Sequence, residues 1–220
     1  MTLSYHEINN IIEITNDKIS TIVIENRTLY NNFILDMYQQ TQGFDGHTTI
    51  YNENELIDFQ KNVDLTTTFI PFEINRKPLV NKIITALEKN AIVNHYEETM
   101  SILCEIERYL DTISRDYTII PSYTKNTVSS LIKSAGIFID ENQDNVAEKM
   151  IDYMELVREF DSKKLFITAG MRSCMSDELS ELFMKTVLDH DYKILMIECV
   201  SDKMLSYENR LTIDQDLCEF

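Results

Sequence analysis

The chain is poor in the residues that loosen a backbone: 4 Gly and 3 Pro in 220 residues, with no tryptophan. A phosphate-cradling loop depends on glycine, because backbone N–H groups close on a phosphate only where no side chain intervenes. So few glycines argue against a glycine-rich nucleotide loop and against long flexible linkers. Basic charge is also scarce, with 20 Lys+Arg against 37 Asp+Glu and a formal net charge of −17. Such a chain is no diffuse polycation for nucleic acid unless its cations gather on one surface. No apolar run approaches the ~20 residues of a membrane-spanning helix. The start, MTLSYHEINN, has neither the basic end nor the apolar centre of a signal peptide. Cys104, Cys174, Cys199 and Cys218 show no CxxC spacing. They read as reduced thiols of a cytoplasmic protein rather than as a zinc site.

What is present is enough apolar material, 44%, to fill a core. The strongest pattern is Ser162 to Val200. Lys163-Lys164 lead into Leu165-Phe166-Ile167-Thr168, which stops at Ala169-Gly170. Ser176 stands at a helix start, with Asp177 and Glu178 where carboxylates favour the helix dipole. Leu179, Leu182, Phe183 and Val187 repeat at helical spacing, and Ile194 to Ile197 form a second apolar run that ends on Glu198. Two short apolar strands joined by a helix predict a parallel βαβ unit buried on both faces. Sites in such sheets lie beyond the carboxyl ends of the strands, here the Gly170–Ser173 loop and Glu198.

Thr21 to Glu25 reads as a short buried strand. A helix follows at once through Leu29, Phe33, Ile34, Met37 and Tyr38. The turn between them, Glu25-Asn26-Arg27-Thr28, has no glycine and no lysine and so is no phosphate loop. Thr48 to Tyr51 and Thr67 to Ile74 read as strands, and Pro78 to about Ser114 as one long helical stretch bent near Asn90 to Asn94. Tyr117 to Ile120 is a β-prone run stopped at Pro121-Ser122. Asn126 to Ala135 is helical and ends at Gly136, Ile137 to Ile139 read as a strand, and Val146 to Phe160 as an amphipathic helix. Residues 1–20 give only a weak pattern, and Leu205 to Phe220 read as a polar tail with an acidic end.

Local motifs for chemistry are thin. Asp140, Asn142 and Asp144 match the opening of a calcium loop, but Asn145 stands in place of the glycine and Ile151 in place of the closing glutamate. A helix cap by Asp144 or Asn145 is the preferred reading. His95 and Glu98 lack the second histidine of a zinc protease motif and read as a surface pair. Glu198 resembles the acidic end of a Walker-B strand without its phosphate loop, and a relict site or a simple strand-end charge is preferred. The cations fall into two loose groups: Arg76, Lys77 and Lys82, and Lys125, Lys133, Lys163, Lys164 and Arg172. On a monomer both read as solvated surface. In a closed ring of copies they would line a positive hole and bind phosphates without regard to sequence.

Several blocks, in order and spacing, resemble the Csn-two family of CRISPR-associated proteins from type II-A systems. They are Phe72-Glu73-Ile74-Asn75 with Lys82, Leu131-Ile132-Lys133-Ser134-Ala135-Gly136, Lys163-Lys164-Leu165-Phe166, Ser176-Asp177-Glu178-Leu179, Ile194 to Glu198, and Ile213-Asp214-Gln215-Asp216. The resemblance implies an α/β fold: a degenerate P-loop-like head with a parallel or mixed sheet, and a helical leg. The head is expected over 1–78 and 115–220 and the leg over 79–114, with part of 122–160 open to joining it. It further implies a homotetrameric ring that binds ends of double-stranded DNA, without catalysis, in spacer acquisition, beside the integrase pair and the effector nuclease of its system. Lys82, Lys133, Lys163 and Lys164 are the matched basic positions. Lys125 and Arg172 are added by proximity. Short members of the family hold calcium with carboxylates between the long helix and the L-[IF]-K block. Here that interval, Asp111 to Ser130, offers only Asp111 and Asp116. Two other readings stay open: a nucleotide- or metal-dependent regulator or enzyme using Glu198 and Glu25, and an acidic protein-interaction scaffold.

Overall fold

The computed structural model describes residues 1–118, 125–200 and 202–220. The chain forms two units, Met1–Glu73 with Glu141–Phe220, and Ile74–Asp140. In chain order the first unit begins with β1 (Thr2–Ser4), β2 (Ile12–Glu13), β3 (Ile19–Ile24), α1 (Arg27–Thr41), β4 (Thr49–Asn52), β5 (Glu55–Leu56), the single-turn α2 (Phe59–Asn62) and β6 (Val63–Thr66). The helical unit holds α3 (Lys77–Asn94), α4 (Tyr96–Ser114) and α5 (Val128–Ala135). The first unit resumes with α6 (Val146–Phe160), β7 (Leu165–Ala169), α7 (Asp177–Asp189), β8 (Ile194–Glu198) and β9 (Glu208–Ile213).

Five strands make a parallel sheet in the order β6-β7-β8-β3-β9. Every residue of β3, β7 and β8 is buried, which is why these stretches read as unbroken apolar runs. α1 lays Leu29, Phe33 and Met37 on one face, against Ile22, Ile24, Ile167 and Ile197. α6 covers the opposite face, where Tyr153 donates to Asp64 of β6 at 2.8 Å, and α7 packs on α6. A smaller antiparallel sheet, β2-β1-β4-β5, adds Leu3 and Ile50 to the same core as α1. The mixed α/β class and the β7–α7–β8 parallel unit are thus as the sequence predicts.

The structure corrects several boundaries. The strand expected at Thr67 to Ile74 lies earlier, at Val63–Thr66, paired with β7 from Val63↔Leu165 to Thr66↔Thr168. Asp64 hid it, since a carboxylate interrupts the apolar run that marks a buried strand. The long helix is two helices, α3 and α4, broken at His95. Ile137 to Ile139 are not a strand: the Asn75 side chain accepts from the Ile139 N–H at 2.8 Å and donates to its C=O at 2.9 Å, so an amide takes the place of a neighbouring strand. The polar tail contains β9. Of the β-prone run Tyr117–Ile120 with its stop at Pro121-Ser122, residues 119–122 lie outside those described.

Candidate functional site

The carboxyl ends of β3, β7 and β8 meet where an α/β fold carries its site. After β3, Asn26 caps α1: its Oδ1 accepts from the Thr28 and Leu29 N–H groups, both at 3.1 Å. These are the donors with which a helix N-terminus holds a phosphate, and here a side chain satisfies them. Asn26 Nδ2 also donates to the Gln215 C=O at 3.0 Å, and Gln215 Nε2 donates to the Glu25 C=O at 3.0 Å. The segment after β9 therefore lies across the turn.

After β7 the chain turns at Gly170, whose φ of 76° is a left-handed value that favours glycine. Arg172–Cys174 form a short 3-10 turn, and Ser176 then caps α7 by accepting from the Leu179 N–H at 3.3 Å. Glu198, at the end of β8, is 5% exposed and accepts from the Arg172 N–H at 3.2 Å. Burial pushes its carboxyl up to about 7, although the Arg172 amide and charge pull the other way. Tyr30 of α1 is raised to about 12 by burial, with Cys199 and Glu198 adding to the effect. A buried carboxyl and a half-buried phenol favour their protonated forms, and the α1 amides beside them are already taken by Asn26.

Arg172 is placed differently from the surface cation that proximity to the lysines suggests. Its side chain is 3% exposed, and its guanidinium meets Asp177 at 3.2 Å, the Lys203 C=O at 3.1 Å and Glu208 at 3.6 Å. Arg210 holds the same buried Glu208 through Nε at 2.7 Å and Nη2 at 2.9 Å. Arg172 is thus the inner member of an ion network that fixes the start of β9. In sequence Glu208 and Arg210 read as part of a polar tail because the buried partner Arg172 stands 36 residues away.

The lysines divide between the units. Lys82 of α3, Lys133 in the last turn of α5 and Lys125 just before α5 are exposed, all within the helical unit. In the α/β unit Lys164 is exposed, while Lys163 is half-buried and donates to the Gln60 C=O. Burial lowers the Lys163 pKa, against the raising effect of Asp64 and Asp58.

Net charge divides more sharply. Of 20 Lys+Arg and 37 Asp+Glu, the helical unit Ile74–Asp140 holds eight of each sign, so the α/β unit carries the whole −17. Within the helical unit, residues 74–87 contain Arg76, Lys77 and Lys82 and no acid, and residues 117–139 contain Lys125 and Lys133 and no acid. α5, which carries Lys133, packs on α3, which carries Lys82. Residues 162–176, with Lys163, Lys164 and Arg172, are free of acids as well, so what separates Lys163 and Lys164 from the other cations is the net charge of the unit that carries them.

For metals the residues offer little. Among the described residues no group of three or more His, Cys, Asp or Glu side chains is placed to hold an ion. The interval Asp111 to Ser130, where the resemblance expects calcium, lies partly outside those residues. Asn145 caps α6 by accepting from the Glu148 N–H at 3.0 Å, the preferred reading of the Asp140–Asp144 loop. His95 and Glu98 are an exposed pair at 3.7 Å. Among the described residues no helix is long and apolar enough to cross a membrane.

No curated protein matches the chain. Among solved structures it is similar to a nucleotide-free ATP-binding cassette from an ABC transporter, at 15% identity and a TM-score of 0.47, covering 99% of this chain and 88% of that one. It is similar also to the ADP conformation of an ATP-binding cassette of an ABC transporter, at 13% identity and a TM-score of 0.41, covering 97% and 85%. A family model described as CRISPR-associated protein (Cas_Csn2) matches residues 41–217, and the chain belongs to that family.

Proposed function

We propose that this CRISPR-associated protein is a non-enzymatic, ring-forming protein that binds ends of double-stranded DNA in spacer acquisition. The observation that carries the reading is that the helical unit, neutral in total on a chain of net charge −17, carries Arg76, Lys77, Lys82, Lys125 and Lys133 in two stretches of sequence without a carboxylate. In a monomer these five cations are too few for tight binding. A homotetramer multiplies each by four, and phosphate contacts made that way are strong, sequence-independent and steeply salt-dependent. Self-assembly is supported by apolar side chains left open on the helical unit: Ile92, Val93, Tyr96 and Tyr109 are 51%, 66%, 56% and 65% exposed. The integrase pair and effector nuclease of the same system are the protein partners this role implies, in the cytoplasm. Calcium remains part of the proposal only at the Asp111 to Ser130 interval.

The test combines light scattering with a gel shift of linear against closed circular duplex. A tetramer that shifts linear DNA, and releases it as salt rises, supports the reading. A monomer, equal affinity for circles, or binding indifferent to salt overturns it. A nucleotide-dependent regulator is the second reading, favoured by the buried place of Glu198 at the end of β8. It requires ATP binding that Glu198→Gln abolishes. The Asn26 cap on the α1 amides weighs against it. A purely acidic scaffold would retain function in Lys133→Glu.

A further inference from the structure

The segment after β9 is fastened at three points, and every fastening is polar. Glu219 is the first: Oε1 accepts from Asn9 N at 2.7 Å and Asn9 Nδ2 at 3.0 Å, and Oε2 from Asn10 N at 2.8 Å and Asn10 Nδ2 at 2.7 Å. Phe220 is the second: its N–H and C=O bond the backbone of Thr212 at 3.0 and 2.8 Å, which covers the outer edge of β9. The reciprocal pair of Gln215 with Glu25 and Asn26, both bonds at 3.0 Å, is the third. Asp214 closes the turn between them by accepting from the Asp216 and Cys218 N–H groups at 2.9 Å.

The apolar side chains of the segment add little burial to these bonds. Leu217 is 52% exposed and Phe220 71% exposed. Leu217 also holds a φ of 66°, a left-handed value unfavourable for a branched side chain. Exposed hydrogen bonds exchange with water at little net cost, and few buried apolar contacts mark the least stable unit of a fold. Beside the covered edge lies a cleft of about 370 Å³, lined by Ile11, Ile12, Asn209, Leu211 and Phe220 among others.

We propose that Asp214–Phe220 is a releasable strap, with Glu219 on Asn9 and Asn10 as its clasp, and that its release bares the β9 edge at Thr212 together with this cleft. The strap opens as a unit while the sheet stays closed. Four donors converge on one carboxylate, so the clasp carries most of the holding energy, and Gln215 carries less.

Hydrogen exchange of the native chain, Glu219→Ala and Gln215→Ala tests this. In Glu219→Ala the amides of Asn9, Asn10, Thr212 and Phe220 exchange about tenfold faster or more, while those of β3 and β8 do not change. Gln215→Ala speeds the Phe220 amide by a smaller factor. Unchanged exchange in Glu219→Ala overturns the proposal. So does a rise shared equally with β3 and β8, or a Thr212 amide already unprotected in the native chain.

Discussion

Two buried carboxylates, Glu198 and Asp36, have opposite dependences on pH. Glu198, with the Arg172 N–H at 3.2 Å, sits at about 7 because burial disfavours its charge. Its folded pKa is raised above the ordinary 4.5, so the folded chain binds the extra proton. Its stabilisation is complete below pH 4.5 and disappears as pH rises through about 7. Glu198→Gln keeps the acceptor without the charge. The variant is expected to match the native chain near pH 4.5 and to exceed it by about 3 kcal/mol at pH 8, read by urea denaturation. A constant difference across pH would refute this account. Asp36 behaves in reverse. Burial alone would raise its pKa, but bonds from the Thr48 hydroxyl, the His47 and Thr48 amides and Gln40 outweigh it and hold it low. Its contribution is present above the unfolded aspartate pKa and lost as pH falls through the folded value. Asp36→Ala is expected to cost about 2–4 kcal/mol at pH 7, and less at pH 3, where the native chain has begun to lose the same interaction.

At the scale of elements, the α1 start is a turn whose helix amides are satisfied by a side chain of the chain itself. Asn26→Ala removes the cap and the bond to Gln215, and is expected to cost about 1 kcal/mol. Asn26→Asp restores the cap acceptor and most of that loss, with no gain of ATP binding by calorimetry. What the sequence reveals about elements follows from burial pattern. β3, β7 and β8 are buried on both faces and read directly as apolar runs, as do the amphipathic stripes of α1, α6 and α7. β6 and β9 did not read, because each places charge inside: Asp64 is met by Tyr153, and Glu208 by Arg172 and Arg210. A buried charge looks like a surface residue until its partner is known; Tyr153 and Arg172 come from distant parts of the chain, while Arg210 stands on β9 itself. The same reason explains Arg172, an exposed cation by its neighbours in sequence and a buried one by its contacts. Ile137 to Ile139 failed in the other sense, extended in propensity but bonded at Ile139 to the Asn75 side chain rather than assigned to a strand.

Over the whole molecule the uneven charge decides where a duplex is expected to be held. The α/β unit, at −17, repels phosphate at long range, and salt screens that repulsion as well as any attraction. The helical unit is neutral in total and carries Arg76, Lys77, Lys82, Lys125 and Lys133 in two stretches of sequence that contain no carboxylate. Lys164 is exposed too, but it belongs to the acidic unit. The prediction is therefore a ranking. Lys133→Glu and Lys82→Glu weaken duplex binding strongly, and Lys164→Glu weakens it least. Each phosphate contact contributes a slope of about −0.9 to log affinity against log salt. In a tetramer one substitution removes up to four contacts, so Lys133→Glu is expected to flatten the slope by roughly 3–4. Fluorescence anisotropy over a salt series measures it directly. Slopes equal in Lys133→Glu and the native protein would place the DNA elsewhere. A change of about 1 would mean that a single subunit makes the contact and that no ring surrounds the duplex.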